Sequence, residues 1–251
     1  MPQLPQAVIP EYEMQLISTG AKIKYRPFLV KEEKLLLMAG DKKDPNEMFE
    51  AIKRVLAACT FDKVKINDLP MFDIEYLFIQ IRSKSVGETV SPIVVCPHCK
   101  KETEIKLDVS KAEIIKNPTH NRRIVIDENA GVSVIMKYPS FNSLAGSKNS
   151  INQFIQGEAS DTHIYDMILN CIESIIIRNK ETEKDDVYHA AETDRGDLEQ
   201  FIENLTSSSF KKIENFFKTM PQIVCKVNFV CPKCKEASPM EVSNLNDFFG
   251  S

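Results

Sequence analysis

The chain has 251 residues, 43% of them hydrophobic and 27% charged, and its formal net charge is −4. That is enough length and apolar content for one large domain or two modest ones, so disorder is not the default expectation. The mild acidity argues against a protein whose main task is neutralising phosphates. No run approaches the ~18 apolar residues of a membrane span, and the first thirty residues lack the order of a signal peptide, so a soluble intracellular protein is expected.

Residues 1–10 carry three prolines and few charges and read as an extended arm. Tyr12, Met14 and Leu16 alternate with polar residues, and Ile23 and Tyr25 follow a Ser18-Thr-Gly20 turn, so residues 11–28 predict a β-hairpin that Pro27 ends. Lys31 to Met38 turns helical. Pro45 suits a first helical turn, and in 45–59 Met48, Phe49, Ile52, Val55, Leu56 and Cys59 form one apolar stripe. Leu69 to Ile81 predicts a third helix too apolar for the surface and therefore central.

Further on, Ile124 to Ile126 and Val132 to Met136 flank an Asp127-Glu-Asn-Ala-Gly131 turn and predict a second hairpin. Residues 162–177 keep a helical period through Ile164, Met167, Ile168, Cys171, Ile172, Ile175 and Ile176. Residues 178–187 read as a charged, solvated loop. Helices are expected at 194–205, capped by Asp194, and at 208–218, with a strand beginning near Pro221.

Two segments share one plan: Pro92-Ile-Val-Val-Cys96-Pro-His-Cys99-Lys, and Val227-Asn-Phe-Val-Cys231-Pro-Lys-Cys234-Lys. Each reads strand, Cys-Pro-x-Cys-Lys, strand. Two residues between the cysteines let a tight turn aim both thiolates at one point, and two such turns make a tetrahedral four-cysteine site. An odd count of seven cysteines and no export signal favour metal over disulfides. Thioredoxin-like chemistry would need a βαβ setting that is missing.

Cys96, Cys99, Cys231 and Cys234 are thus read as ligands of one structural zinc ion per chain, closed to water and substrate. The 131 residues between Cys99 and Cys231 imply an inserted region, where a compact ribbon has about 15–20. Closing that longer loop costs roughly 1.8 kcal/mol more, against about 10–16 kcal/mol for structural zinc in small peptides. Pairing each turn with one from another subunit is the rival geometry. His98, inside the first turn, is expected to face solvent, and Cys59, Cys171 and Cys225 to pack in cores.

Signs of catalysis are few. Eight scattered glycines form no phosphate loop, and there is no Gly-x-Ser-x-Gly or His-Glu-x-x-His. Ser208-Ser-Phe-Lys211 matches Ser-x-x-Lys without its companions. Glu181, Glu183, Asp185 and Asp186 lack the order of a calcium loop.

Three segments carry a family resemblance: Ser18-Thr-Gly-Ala-Lys-Ile-Lys-Tyr-Arg-Pro-Phe-Leu-Val-Lys-Glu-Glu-Lys-Leu-Leu-Leu-Met38, Ile81-Arg-Ser-Lys-Ser-Val-Gly-Glu88, and Phe210-Lys-Lys-Ile-Glu-Asn-Phe-Phe-Lys-Thr-Met-Pro221. Together they resemble the baseplate proteins of T-even-type contractile-tailed bacteriophages, whose members include a baseplate hub subunit and a hub assembly factor. The resemblance covers most of 11–110 and 195–245. It implies a non-enzymatic role with other baseplate and tail hub proteins, in the host cytoplasm during assembly or in the virion tail.

Candidate partner contacts are Arg26 and Phe28 between hairpin and helix, Arg82, Lys84 and Ser85 before the first zinc turn, and Phe248 and Phe249 near the end. Solvated decoration is the bland alternative, and for the two terminal aromatics so is packing onto their own domain. The expected fold is α+β: a mainly helical body with short β-hairpins and a zinc ribbon built from distant parts of the chain. Its segments are an arm at 1–10, hairpin plus helices at 11–90, a first zinc knuckle at 91–110, an inserted region at 111–220, and a second knuckle with tail at 221–251. The competing function is a nucleic-acid-binding zinc ribbon, favoured by Lys100, Lys101, Lys106, Lys233 and Lys235 and weakened by Glu102, Glu104 and Glu236.

Overall fold

The computed structural model describes residues 8–42, 44–141, 161–179 and 182–242. Most of the expected N-terminal arm lies outside them, as do Phe248 and Phe249. The chain divides into two compact units, one comprising Met1–Ile114 with Ile223–Ser251 and the other Ile115–Gln222.

The first unit begins with β1 (Tyr12–Gln15) and β2 (Lys22–Tyr25), antiparallel with Tyr12 opposite Tyr25 and their rings stacked 5.6 Å apart. α1 (Val30–Asp41) starts where the Glu32 carboxylate accepts the Leu29 N–H at 2.8 Å. α2 (Pro45–Cys59) opens on its proline and buries Phe49, Ile52, Val55, Leu56 and Cys59 along one stripe. It ends on two left-handed residues, Phe61 and Asp62.

α3 (Met71–Ser85) is central, as its composition predicts: Ile74, Leu77, Phe78, Ile79 and Ile81 are almost fully buried. Asp73 is buried among them. Its carboxylate accepts the Ile17 N–H at 2.6 Å, the Ser18 N–H at 3.2 Å and the Ser18 hydroxyl, which pins the β1–β2 turn to this helix. Short strands follow: β3 (Thr89–Val90), β4 (Ile93–Val95), β5 (Glu102–Glu104), β6 (Leu107–Asp108) and β7 (Glu113–Ile115). β4 pairs with β5, and β3 with β6.

The second unit is a four-stranded antiparallel sheet with helices. It runs β8 (Arg123–Asp127), β9 (Val132–Met136), α4 (Asp161–Cys171), β10 (Ile172–Arg178), β11 (Asp185–His189), α5 (Arg195–Glu203) and α6 (Ser207–Thr219). The strand order is β11-β10-β9-β8. Ile124, Val134, Met136, Ile172 and Ile175 meet Ile168, Leu198, Ile202, Ile213 and Phe216 from the helices in one core. Asp194 and Thr206 cap α5 and α6 by accepting from Gly196 N–H and Ser209 N–H. Gly131, at φ +67°, closes the β8–β9 turn, and a Cβ there would sit 2.4 Å from Arg178 Cβ. The chain then returns to the first unit with β12 (Gln222–Val230) and β13 (Ala237–Val242), in a sheet ordered β13-β12-β7.

The fold is α+β, but it is not mainly helical: strands are comparable to helices. The correction sits in the second unit. The expected helix at 162–177 stops at Cys171, and Ile172–Arg178 becomes a central strand between β9 and β11. Ile172, Ile175 and Ile176 satisfy a helical period, yet their β-branches favour a pleated surface once two neighbouring strands are there to pair. The charged segment 178–187, expected as a loop, contributes Arg178 to β10 and Asp185–Val187 to β11, and Asn179 N–H donates to Lys184 O at 2.8 Å. No helix among the described residues is long and apolar enough to cross a membrane.

Candidate metal centre

The two Cys-Pro-x-Cys turns fold alike down to single hydrogen bonds. In the first, Cys96 N–H donates to Lys101 O at 2.9 Å, and Lys100 N–H donates back to Cys96 O at 3.0 Å. In the second, Cys231 N–H donates to Glu236 O at 3.0 Å and Lys235 N–H to Cys231 O at 2.9 Å. Lys100 and Lys235 hold the same left-handed conformation, at φ 59° and 63°. Each knuckle is clamped by its own strand pair, β4 with β5 and β12 with β13, whose last registered pairs are Val95 with Glu102 and Val230 with Ala237.

The four sulfurs converge within one chain. Cys96 Sγ lies 3.7 Å from Cys234 Sγ and Cys99 Sγ 3.6 Å from Cys231 Sγ, both contacts crossing between knuckles, and all four lie within 4.8 Å of one another. A disulfide needs about 2.05 Å, so these are not disulfide contacts. Four ligands about 2.3 Å from a central zinc would stand ~3.8 Å apart at tetrahedral angles. The sulfur set is therefore of the right size and chemistry to hold a metal ion.

Its floor is apolar. Val94, Ile79, Leu107, Val109, Phe229 and Cys225 belong to the same buried cluster as Cys96 and Cys231, while Cys99 and Cys234 are half-buried. His98 is exposed, in line with its expected place, but its Nε2 lies 3.0 Å from Ser238 Oγ and links the first knuckle to β13. The thiols do not ionise alike. The backbone N–H of Cys234, with that of Lys233, lowers Cys231 to about 6. Cys234 is raised to about 12: the Glu236 N–H favours its thiolate, but burial and the neighbouring thiols outweigh it. Elsewhere, burial pushes Cys59 up to about 12 and Cys225 to about 11, and Cys171 is fully buried, as expected of core cysteines.

The partner-contact candidates hold internal contacts in the structure. Arg26 is buried, with its guanidinium 3.0 Å from the Glu32 carboxylate and donating to Pro27 O at 2.9 Å. Phe28 is buried too, and its N–H donates to the Ser85 hydroxyl, which itself donates to Ile81 O. Arg82 is half-buried and donates to Gly87 O at 3.5 Å. Lys84 is exposed, 3.6 Å from Glu88 and 5.8 Å from the Tyr12 ring centroid. Thus Phe28 and Ser85 are brought together, while Arg26 turns inward. Around the knuckles Lys100, Lys101, Lys106, Lys233 and Lys235 are exposed, and so are Glu102, Glu104 and Glu236.

One polar cluster has no signal in the sequence. His120 stacks on Tyr138 at 5.6 Å, with Nδ1 2.9 Å from Thr219 Oγ1 and Nε2 3.0 Å from Tyr138 OH, and burial lowers its pKa. Its partners stand 18 and 99 positions away, beyond the reach of any local pattern.

Such paired knuckles, separated by a whole compact unit, are a property of the entire chain. A family model described as T4 bacteriophage base plate protein matches residues 9–250, and so takes in both knuckles and the intervening unit. The chain belongs to that family. No curated protein and no solved structure matches it. The matched stretch thus includes all four thiols of the cluster that could hold a metal ion.

Proposed function

We propose that this chain is a non-enzymatic component or assembly factor of the phage baseplate hub, folded around one structural zinc ion. The family match over residues 9–250 carries the baseplate reading. The zinc reading rests on the ligand set: four thiolates at tetrahedral spacing suit zinc, whose structural sites are closed and redox-inert. Cys96, Cys99, Cys231 and Cys234 would hold the ion, and bound zinc would supply folding energy by tying the two ends of the first unit together.

Hub proteins of the same tail are the proposed partners, met in the host cytoplasm during assembly. Arg82, Lys84 and Ser85, shortly before the first knuckle in sequence, remain proposed contacts, with Phe28 bonded to Ser85 and Arg26 buried against Glu32. Quantitative mass spectrometry of purified virions and of tail-assembly intermediates tests the role. Stoichiometric presence in the virion marks a retained subunit, and presence only in hub intermediates marks an assembly factor. Absence from both, or nucleic-acid binding that weakens steeply with salt, would overturn the reading.

A further inference from the structure

At one margin of the second unit's sheet, β11 pairs with β10 on one side only among the described residues, and all five of its residues are exposed. Ala190 N–H donates to Glu173 O, and Asn179 N–H to Lys184 O. In an antiparallel ladder this phase directs the peptide groups of 184, 186, 188 and 190 toward β10, and those of Asp185, Val187 and His189 outward. An outward row of this kind is a template for a further strand. The strand has no lysine, proline or bulge to guard it.

We infer that β11 is a self-association edge, pairing antiparallel with β11 of a second copy about a two-fold axis at Val187. The strand's self-complementarity selects both the occupant and the register. With Val187 opposite the partner's Val187, Asp185 falls opposite the partner's His189, and by symmetry His189 falls opposite the partner's Asp185. Arg178, 3.3 Å from Asp185, steadies that carboxylate. Moving the axis one residue back would set Asp186 against the partner's Asp186, a like-charge clash.

This register also places outward peptide groups opposite outward peptide groups, as hydrogen-bonded pairs require. Four backbone bonds are then available, two between the Val187 residues and two from His189 N–H to Asp185 O across the axis. The His189 carbonyl is already taken by Glu192 N–H and Thr193 Oγ1, which ends the ladder there. The cross-strand row Val125, Ser133, Ile176 and Val187 would continue unbroken into the partner's Val187 and Ile176.

Light scattering on size-exclusion fractions of the full chain, over a concentration series, tests this. The wild type is expected to dimerise as concentration rises. Val187→Pro removes an outward N–H and no hydrogen bond to β10, and His189→Asp sets two carboxylates face to face; each should shift the dimer to monomer with circular dichroism unchanged. A wild type that stays monomeric throughout the series, with the edge left to a strand of another protein, would overturn the inference. So would a dimer that persists in folded His189→Asp.

Discussion

Replacing Asp73 with alanine should loosen the floor of the metal centre from a distance. The Asp73 carboxylate is fully buried and accepts from two backbone N–H groups and one hydroxyl of the β1–β2 turn. Ile17, one of those donors, packs against the cluster that contains Cys96 and Cys231. A hydrogen bond to a charged group contributes about 1.5–3 kcal/mol, and losing the acceptor leaves its half-buried donors without that partner. The three share one carboxylate and do not add in full, so Asp73→Ala should cost about 3–5 kcal/mol. Asp73→Asn, which keeps one acceptor oxygen, should cost about half of that. Urea unfolding followed by circular dichroism gives the magnitude, and amide exchange at Ile17 and Ser18 locates it. A cost within about 0.5 kcal/mol of wild type, or unchanged protection at those two amides, would refute the reasoning.

Two further perturbations follow from buried polar groups. Burial raises Glu75 to about 8, so between the ordinary carboxylate range near 4.5 and pH 8 the unfolded chain gives up a proton that the folded chain retains. Stability therefore falls as pH rises through that window. Glu75→Gln should flatten the profile, with no gain near pH 4.5 and a gain on the order of a few kcal/mol at pH 8; parallel profiles for the two proteins would contradict this. Thr103 Oγ1, in β5 beside the first knuckle, is buried with no hydrogen-bond partner among the described residues. Thr103→Val should thus raise stability by about 1 kcal/mol in urea unfolding, and a loss of that size would show that the hydroxyl is satisfied.

Where sequence patterns were local, they led to the structure. The stripe of Phe49, Ile52, Val55, Leu56 and Cys59 defines α2, and the apolar run from Phe72 to Ile81 defines the buried α3. Asp194 caps its helix because capping depends on neighbours two or three residues away. The matching flanks of the two cysteine pairs singled out the four residues whose sulfurs converge, despite the long separation, because each knuckle is a local structure in its own right. Period alone failed at Ile172–Arg178: isoleucines three and four apart also serve a strand, and the partners that decide the matter, β9 and β11, lie elsewhere in the chain. Arg26 resembled a contact residue for a related reason. Its acceptors Pro27 O and Glu32 are near in sequence, but α2, whose Cys59 O accepts the Arg26 N–H in that buried site, is not. Asp73 and His120 were invisible because their partners are distant and of ordinary type.

In the proposed centre, four thiolates from two distant stretches of the chain share one zinc ion. Elemental analysis of the chain purified without added metal or chelator, combined with zinc-edge X-ray absorption, tests it most directly. The account predicts one zinc per chain, surrounded by four sulfurs at about 2.3 Å, and loss of soluble folded protein in a Cys96→Ser, Cys231→Ser double variant. A folded wild-type protein containing no metal, or a double variant with full zinc content and normal stability, would contradict it.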